Sequence, residues 1–141
     1  MNKWFEVGIR YEKLQENGQK KKVTENYLID SLSFTEGETT AIKELSGLID
    51  GEFEVKTMKK SNVSEIFQGD AERFYRIKAA FISFDNDGQE KRTAANFIVQ
   101  ADDIEGAIKL FKERMKGTMS DVDVISVSLS PIVDVYVHKE N

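Results

Sequence analysis

Cysteine is absent, and proline, histidine and tryptophan occur once each in the 141 residues. Without cysteine there is no disulfide framework, no thiolate nucleophile and no zinc–thiolate site. The single histidine, His138, stands close to the C-terminus, where chain ends fray and seldom hold catalytic groups. No Ser/His/Asp set, phosphate-binding glycine loop or HExxH pattern can be assembled. No apolar run approaches the roughly 18 residues that a membrane helix needs. The opening MNKWFEVGIRYE alternates and carries charge, unlike a secretory signal. These absences lead to the expectation of a cytoplasmic, non-enzymatic protein without membrane attachment and without a cofactor. The lone proline, Pro131, favours long regular elements over loops.

What is present suffices for a packed core: 40% of residues are apolar and 32% charged. The net charge is −5. Residues 1–70 hold 10 Lys/Arg against 13 Asp/Glu, and residues 71–141 hold 10 against 12. Neither half has a general attraction for phosphate backbones, so a nucleic-acid role needs a local basic patch.

The chain states its plan twice. Gly18–Phe34, GQKKKVTENYLIDSLSF, lies on Gly88–Ile104, GQEKRTAANFIVQADDI, at a shift of 70 without a gap. Over residues 4–34 only four positions are identical, but 10 of 12 apolar residues meet an apolar partner; chance would give about 5. Trp4–Tyr11 and Phe74–Phe81 alternate with period 2, as strands with one buried face do. Asn17-Gly18 and Asp87-Gly88 mark hairpin turns whose two central residues take positive φ. Ser33 with Glu36, and Asp103, mark helix starts. The stripes Phe34, Ala41, Leu45, Leu48 and Ile104, Ala107, Ile108, Phe111, Met115 define one face of each helix. Gly37, early in the first helix, stands where alanine is expected. A jump of three, Val55 to Met58 and again Val124 to Val127, predicts a bulge near Lys56-Thr57. Val63–Phe67 reads as a short strand or an edge segment, Ile132–Val137 as the last strand, and Gln68–Glu72 as the linker.

The fold class read from this is α+β: a tandem duplication of a ββαβ(β) unit, with antiparallel sheets and two helices. The units are 1–70 and 71–141. They are expected to pack as one compact domain around a pseudo-two-fold axis, since a unit of about 70 residues has a thin core alone.

Three constellations could carry chemistry. Asp85-Asn86-Asp87-Gly88 resembles the start of a calcium loop, but its glycine comes two positions early, and a hairpin turn accounts for the same residues. Asp121 and Asp123 share a strand face, the ordinary pattern of a solvated sheet. The basic residues are the third. Lys20, Lys21 and Lys22 follow the first hairpin turn, Lys91 and Arg92 follow the second, Lys59 and Lys60 end the third strand, and Lys116 leaves the second helix. Paired hairpin clusters could form an anion-binding surface, with Tyr11 and Phe81 as stacking platforms. Lysines at hairpin tips also simply keep strand edges soluble. The loop MKGTMSD, with Thr118, Met119 and Ser120, could bind a ligand or partner, though a helix C-cap and connecting loop account for the same residues.

WFEVGIRYEK, KKVTENYLIDSLSFTEGE, the GEFEV strand and the MKGTMSD loop together resemble a family of uncharacterised small proteins, a domain of unknown function. The family is found in Bacteroidetes-type gut bacteria, their phages and mobile elements. The resemblance spans nearly the whole chain. It implies a phage or mobile-element setting, in the host cytoplasm if phage-encoded, and no reaction. The functional expectation is a binding module for single-stranded nucleic acid. The alternatives are a protein that sequesters a small ligand or nucleotide, and a structural protein that forms homo-oligomers through strand edges.

Overall fold

The computed structural model describes residues 3–117 and 121–137. His138 and the loop residues Thr118, Met119 and Ser120 lie outside them. Ten elements follow in order: β1 (Lys3–Leu14), β2 (Lys20–Ser31), α1 (Phe34–Ser46), β3 (Phe53–Lys60), β4 (Val63–Phe67), β5 (Arg73–Phe84), β6 (Glu90–Ala101), α2 (Ile104–Arg114), β7 (Asp121–Leu129) and β8 (Ile132–Tyr136). They form two four-stranded sheets, ordered β3-β1-β2-β8 and β4-β6-β5-β7. The architecture is α+β. Each sheet is antiparallel except for its last pair, β2 with β8 and β4 with β6.

The short strands are where the sequence reading and the structure part. The sequence reading places β4 with residues 1–70 and β8 with residues 71–141. Pairing puts β4 beside β6 and β8 beside β2, so each unit is closed by a strand from the other half of the sequence. The chain changes unit between Ser61 and Asn62 and again between Ser130 and Pro131. The reason is direction. β3 runs antiparallel to β1, and β1 to β2, so β3 is parallel to the strand needed beside β2. Joining parallel strands of one sheet takes a crossover of about a dozen residues. Only Ser61 and Asn62 separate β3 from β4, and only Ser130 and Pro131 separate β7 from β8.

In the first unit, Phe5, Val7, Ile9, Tyr27 and Ile29 pack against Ala41 and Leu45 of α1. Phe34 and Leu48 of the expected helix stripe are exposed, and Gly37 is buried in their stead. A Cβ on Gly37 would come 2.5 Å from Met58 Cε, so glycine there lets the first helical turn approach the sheet. Ser33 Oγ accepts from Glu36 N at 3.2 Å and caps the helix. Lys56 is the unpaired residue where β3 shifts register against β1, at the expected bulge.

In the second unit, Tyr75, Ile77, Phe97 and Val99 pack against Ala107 and Phe111 of α2. Asp103 caps this helix by accepting from Gly106 N at 2.6 Å. The register shifts again at Lys78/Ala79, 70 residues beyond Gly8/Ile9. Gln68–Glu72 is tied down rather than free. Gly69 N donates to Gln100 Oε1 at 3.2 Å, Gln100 Nε2 to Ala71 O at 2.5 Å, and Arg114 Nη2 to Gln68 O at 3.2 Å.

Both hairpins turn differently from the expectation. In each hairpin only the glycine takes positive φ, Gly18 at 84° and Gly88 at 79°. Gly18 N donates to Gln15 O and Gly88 N to Asp85 O, each at 3.0 Å. This is a longer turn closed by a left-handed glycine, so Asn17 and Asp87 stay in ordinary conformations. Asp85 Oδ1 accepts from Asp87 N at 2.9 Å and Gln89 N at 2.8 Å. That is a turn-forming carboxylate, and among the described residues no cluster of three metal-ligating side chains occurs. No described helix is long and apolar enough to cross a membrane.

Candidate functional site

The eight basic candidates separate once register is known. Lys20, Lys21 and Lys22 face Leu14, Lys13 and Glu12 across the hairpin. Successive side chains on a strand point to opposite faces. Lys21 therefore lies on the α1 side, and Lys20 and Lys22 lie together on the other side. Lys59 pairs with Glu6 at 3.1 Å, and Arg92 Nη2 with Asp123 at 3.0 Å. Lys60 and Lys91 are exposed, opposite Phe5 and Ser83. Lys116 is exposed just after α2. The second hairpin thus has its arginine neutralised, whereas Lys20, Lys21 and Lys22 of the first make no ion pair among the described residues.

Lys20 and Lys22 line a hollow of about 550 Å³ together with Arg10, Tyr11, Glu12 and Phe53. Asp50, Glu52 and Glu54 complete its acidic rim. Arg10 is half-buried, opposite Thr24 on β2 and Glu54 on β3. Neither Arg10 nor the two lysines makes an ion pair among the described residues. The sequence reading passed over Arg10 as one polar position of an alternating strand. The signal was available in the repeat: 70 residues on stands Ala80, with Ile82 for Glu12 and Phe81 for Tyr11.

Beside the hollow, on the α1 side, is a polar network. Tyr11 Oη donates to Glu25 Oε1 at 2.6 Å and Tyr27 Oη donates to the same oxygen at 3.4 Å, while Lys13 Nζ lies 3.5 Å from Glu25 Oε2. Tyr136 stacks on Tyr27 with ring centroids 5.9 Å apart, and its buried hydroxyl finds no hydrogen-bond partner among the described residues. The second unit builds the same place from hydrocarbon. Phe81, Ala95 and Phe97 stand for Tyr11, Glu25 and Tyr27, and Phe67 stacks on Phe97 at 5.7 Å. A fold that closes without the network does not need it for closure. Its polar groups distinguish the first unit from the second.

Burial pushes the Tyr11 phenol up to about 12, helped by its hydrogen bond to Glu25 and by that carboxylate's charge. Burial, with the charges of Asp134 and Glu44, raises Tyr136 to about 12. Tyr27 is raised as well, by burial first and then by the charge of Glu25. Raised values mean that folding favours the neutral phenols. This contribution is complete below pH 10 and is lost as pH rises from 10 through 12. Phenolate absorbance followed against pH should show Tyr11 ionising late in the folded protein, and earlier in Glu25→Ala. An unchanged titration in that variant would contradict the network.

A model for a domain of unknown function, DUF4494, matches residues 3–139. The chain belongs to that family. No curated protein and no solved structure matches it. The family carries no assigned reaction or ligand, so the reading of the hollow rests on its own residues.

Proposed function

We propose that this protein is a non-enzymatic binding protein whose ligand is a nucleotide or a similar phosphate-bearing small molecule, held in the Arg10 hollow. The observation that carries this is Arg10, half-buried and without an ion pair among the described residues, with Lys20 and Lys22 on the same sheet face. An arginine fork receives phosphate oxygens in a bidentate fashion, and charge-assisted bonds of that kind are among the strongest available. The carboxylates of Glu12 and Glu54 can accept from sugar hydroxyls or base amino groups. A volume of about 550 Å³ falls in the range of small-molecule sites.

Four carboxylates line the hollow beside its three cations. This mixture suits a ligand with one anionic end better than a nucleic-acid strand, which presents phosphate throughout. The ion pairs of Lys59 and Arg92 weaken the strand reading further. The family's resemblance to proteins of gut-bacterial phages and mobile elements supports a cytoplasmic role in sequestering a host nucleotide. The absence of cysteine and the presence of a single histidine support binding without catalysis.

The test is calorimetric titration with a panel of linear and cyclic nucleotides, alongside a single-stranded oligonucleotide. A member of the panel should bind, and Arg10→Ala should weaken it at least about tenfold, the equivalent of one lost charge-assisted bond. The reading fails if no nucleotide binds or if Arg10→Ala binds equally well. Tighter binding of the oligonucleotide, with a steep salt dependence, would return the choice to a nucleic-acid strand.

A further inference from the structure

We propose that the groove between α1 and the free edge of β3 captures an extended, positively charged peptide segment of a partner protein. The segment adds as a further strand to the first sheet. β3 is the outermost strand of that sheet, with β1 on its inner side only. An outermost strand presents unpaired backbone donors and acceptors, a ready template for another strand. Along the first half of β3 this edge is flanked by a groove of about 510 Å³ whose other wall is α1. That wall is the helix stripe Glu38, Ile42 and Ser46, spaced by four residues so that they share one face. Ile42 is 44% exposed although it is a large aliphatic side chain. Phe53 and Val55, half-buried, supply apolar surface from the strand.

In strand addition, main-chain hydrogen bonds give affinity and alternate side chains enter the groove beside the edge. Helix, groove and open edge are in the arrangement this requires. Charge selects the occupant. The ionisable residues lining the groove are Glu38, Glu52 and Glu54, all carboxylates and all exposed. They favour a segment that alternates lysine or arginine with apolar residues. They disfavour a second copy of the same edge, which would bring Glu52 and Glu54 against Glu52 and Glu54. The second half of β3 carries Lys56, Lys59 and Lys60, the usual guard against unwanted pairing, so the available stretch is Phe53–Val55 and its approach. The corresponding α2 positions are Ile108, Lys112 and Lys116, which lack the acidic wall. Phe53 and Val55 face the α1 side of this edge and Glu54 the opposite face, so an added strand meets its apolar residues on one face and its basic residues on the other; the inference does not depend on nucleotide binding at Arg10.

The full-length protein should be used to select from a display library of random peptides in the absence of nucleotide. Enriched sequences should alternate basic and apolar residues. A synthetic enriched peptide should slow amide hydrogen exchange over Phe53–Val55. It should lose at least tenfold in affinity for Ile42→Lys, an exposed position whose folding is checked by circular dichroism. The same peptide N-methylated at alternate amides should bind at least tenfold more weakly, because it cannot pair with an edge. Enrichment of acidic sequences or of none overturns the proposal. So do unchanged exchange over Phe53–Val55, equal binding to Ile42→Lys, and equal binding of the methylated peptide.

Discussion

Severing the chain between Asp70 and Ala71 is expected to leave two fragments with no folded monomer. When mixed, they should recover one cooperative melt. Fragment 1–70 keeps β1, β2, α1 and β3 but loses β8, and with it the buried Ile132 and Val135. Burying two such side chains is worth roughly 3–6 kcal/mol, a large part of the about 5–15 kcal/mol that stabilises a typical domain. The fragment's own β4 cannot fill the vacancy as a monomer. Two residues separate it from β3, and the vacancy calls for a parallel crossover of about a dozen. Fragment 71–141 has the mirror problem, for it lacks β4 with Val63 and Phe67. A fragment spanning 62–130 holds β4, β5, β6, α2 and β7 contiguously and should fold by itself. Circular dichroism and thermal melts of the three fragments, alone and mixed, decide the matter. A cooperative melt from monomeric 1–70 would show that the exchanged strand is dispensable.

The largest effect of a single substitution is expected at Phe111. It is 1% exposed and packs edge-on to Phe97 at 5.0 Å and tilted against Phe67 at 6.1 Å. Phe111→Ala removes a ring that bridges α2 to both a central and an edge strand. The cost is about 3–5 kcal/mol, transfer free energy plus a cavity that the neighbouring rings only partly close. For a unit of this size that corresponds to a fall in Tm of more than roughly 12 °C. The first unit supplies the contrast. Its equivalent position is Ala41, buried against Tyr27 and Ile29, because there the tyrosines and the closely approaching helix occupy the volume. Denaturant unfolding of Phe111→Ala, with the midpoint compared at constant m, measures the loss. A loss below about 1 kcal/mol would mean that the aromatic cluster is not the core of the second unit.

The polar network and the hollow stand out when the two units are compared. Position by position, one copy of the plan is lined with hydrocarbon where the other has Arg10, Tyr11, Glu12, Glu25 and Tyr136. The shared positions maintain the fold, and those that differ are free to do something else. Arg10 was the residue most easily missed, because an isolated polar residue at an even position of a strand looks like any solvated one. Register places Lys22 and Lys20 on its face of the sheet, and none of the three makes an ion pair among the described residues.

By itself the sequence determined the elements. Period-2 alternation, the cap residues Ser33 and Asp103, the turn glycines Gly18 and Gly88, and the jump at Val55–Met58 act within a few residues of the chain. They wrote two hairpin–helix–strand plans and the α+β class. Tertiary structure alone decided the partners. Whether Lys59 and Arg92 are free or neutralised depends on Glu6 and Asp123, which are distant in sequence. Whether Gly37 is a weak helix residue or a point of close approach depends on Met58. The assignment of β4 and β8 lies between these cases. Their apolar patterns suit either sheet equally, and it is the two-residue connections, too short for a parallel crossover, that send each strand to the other unit.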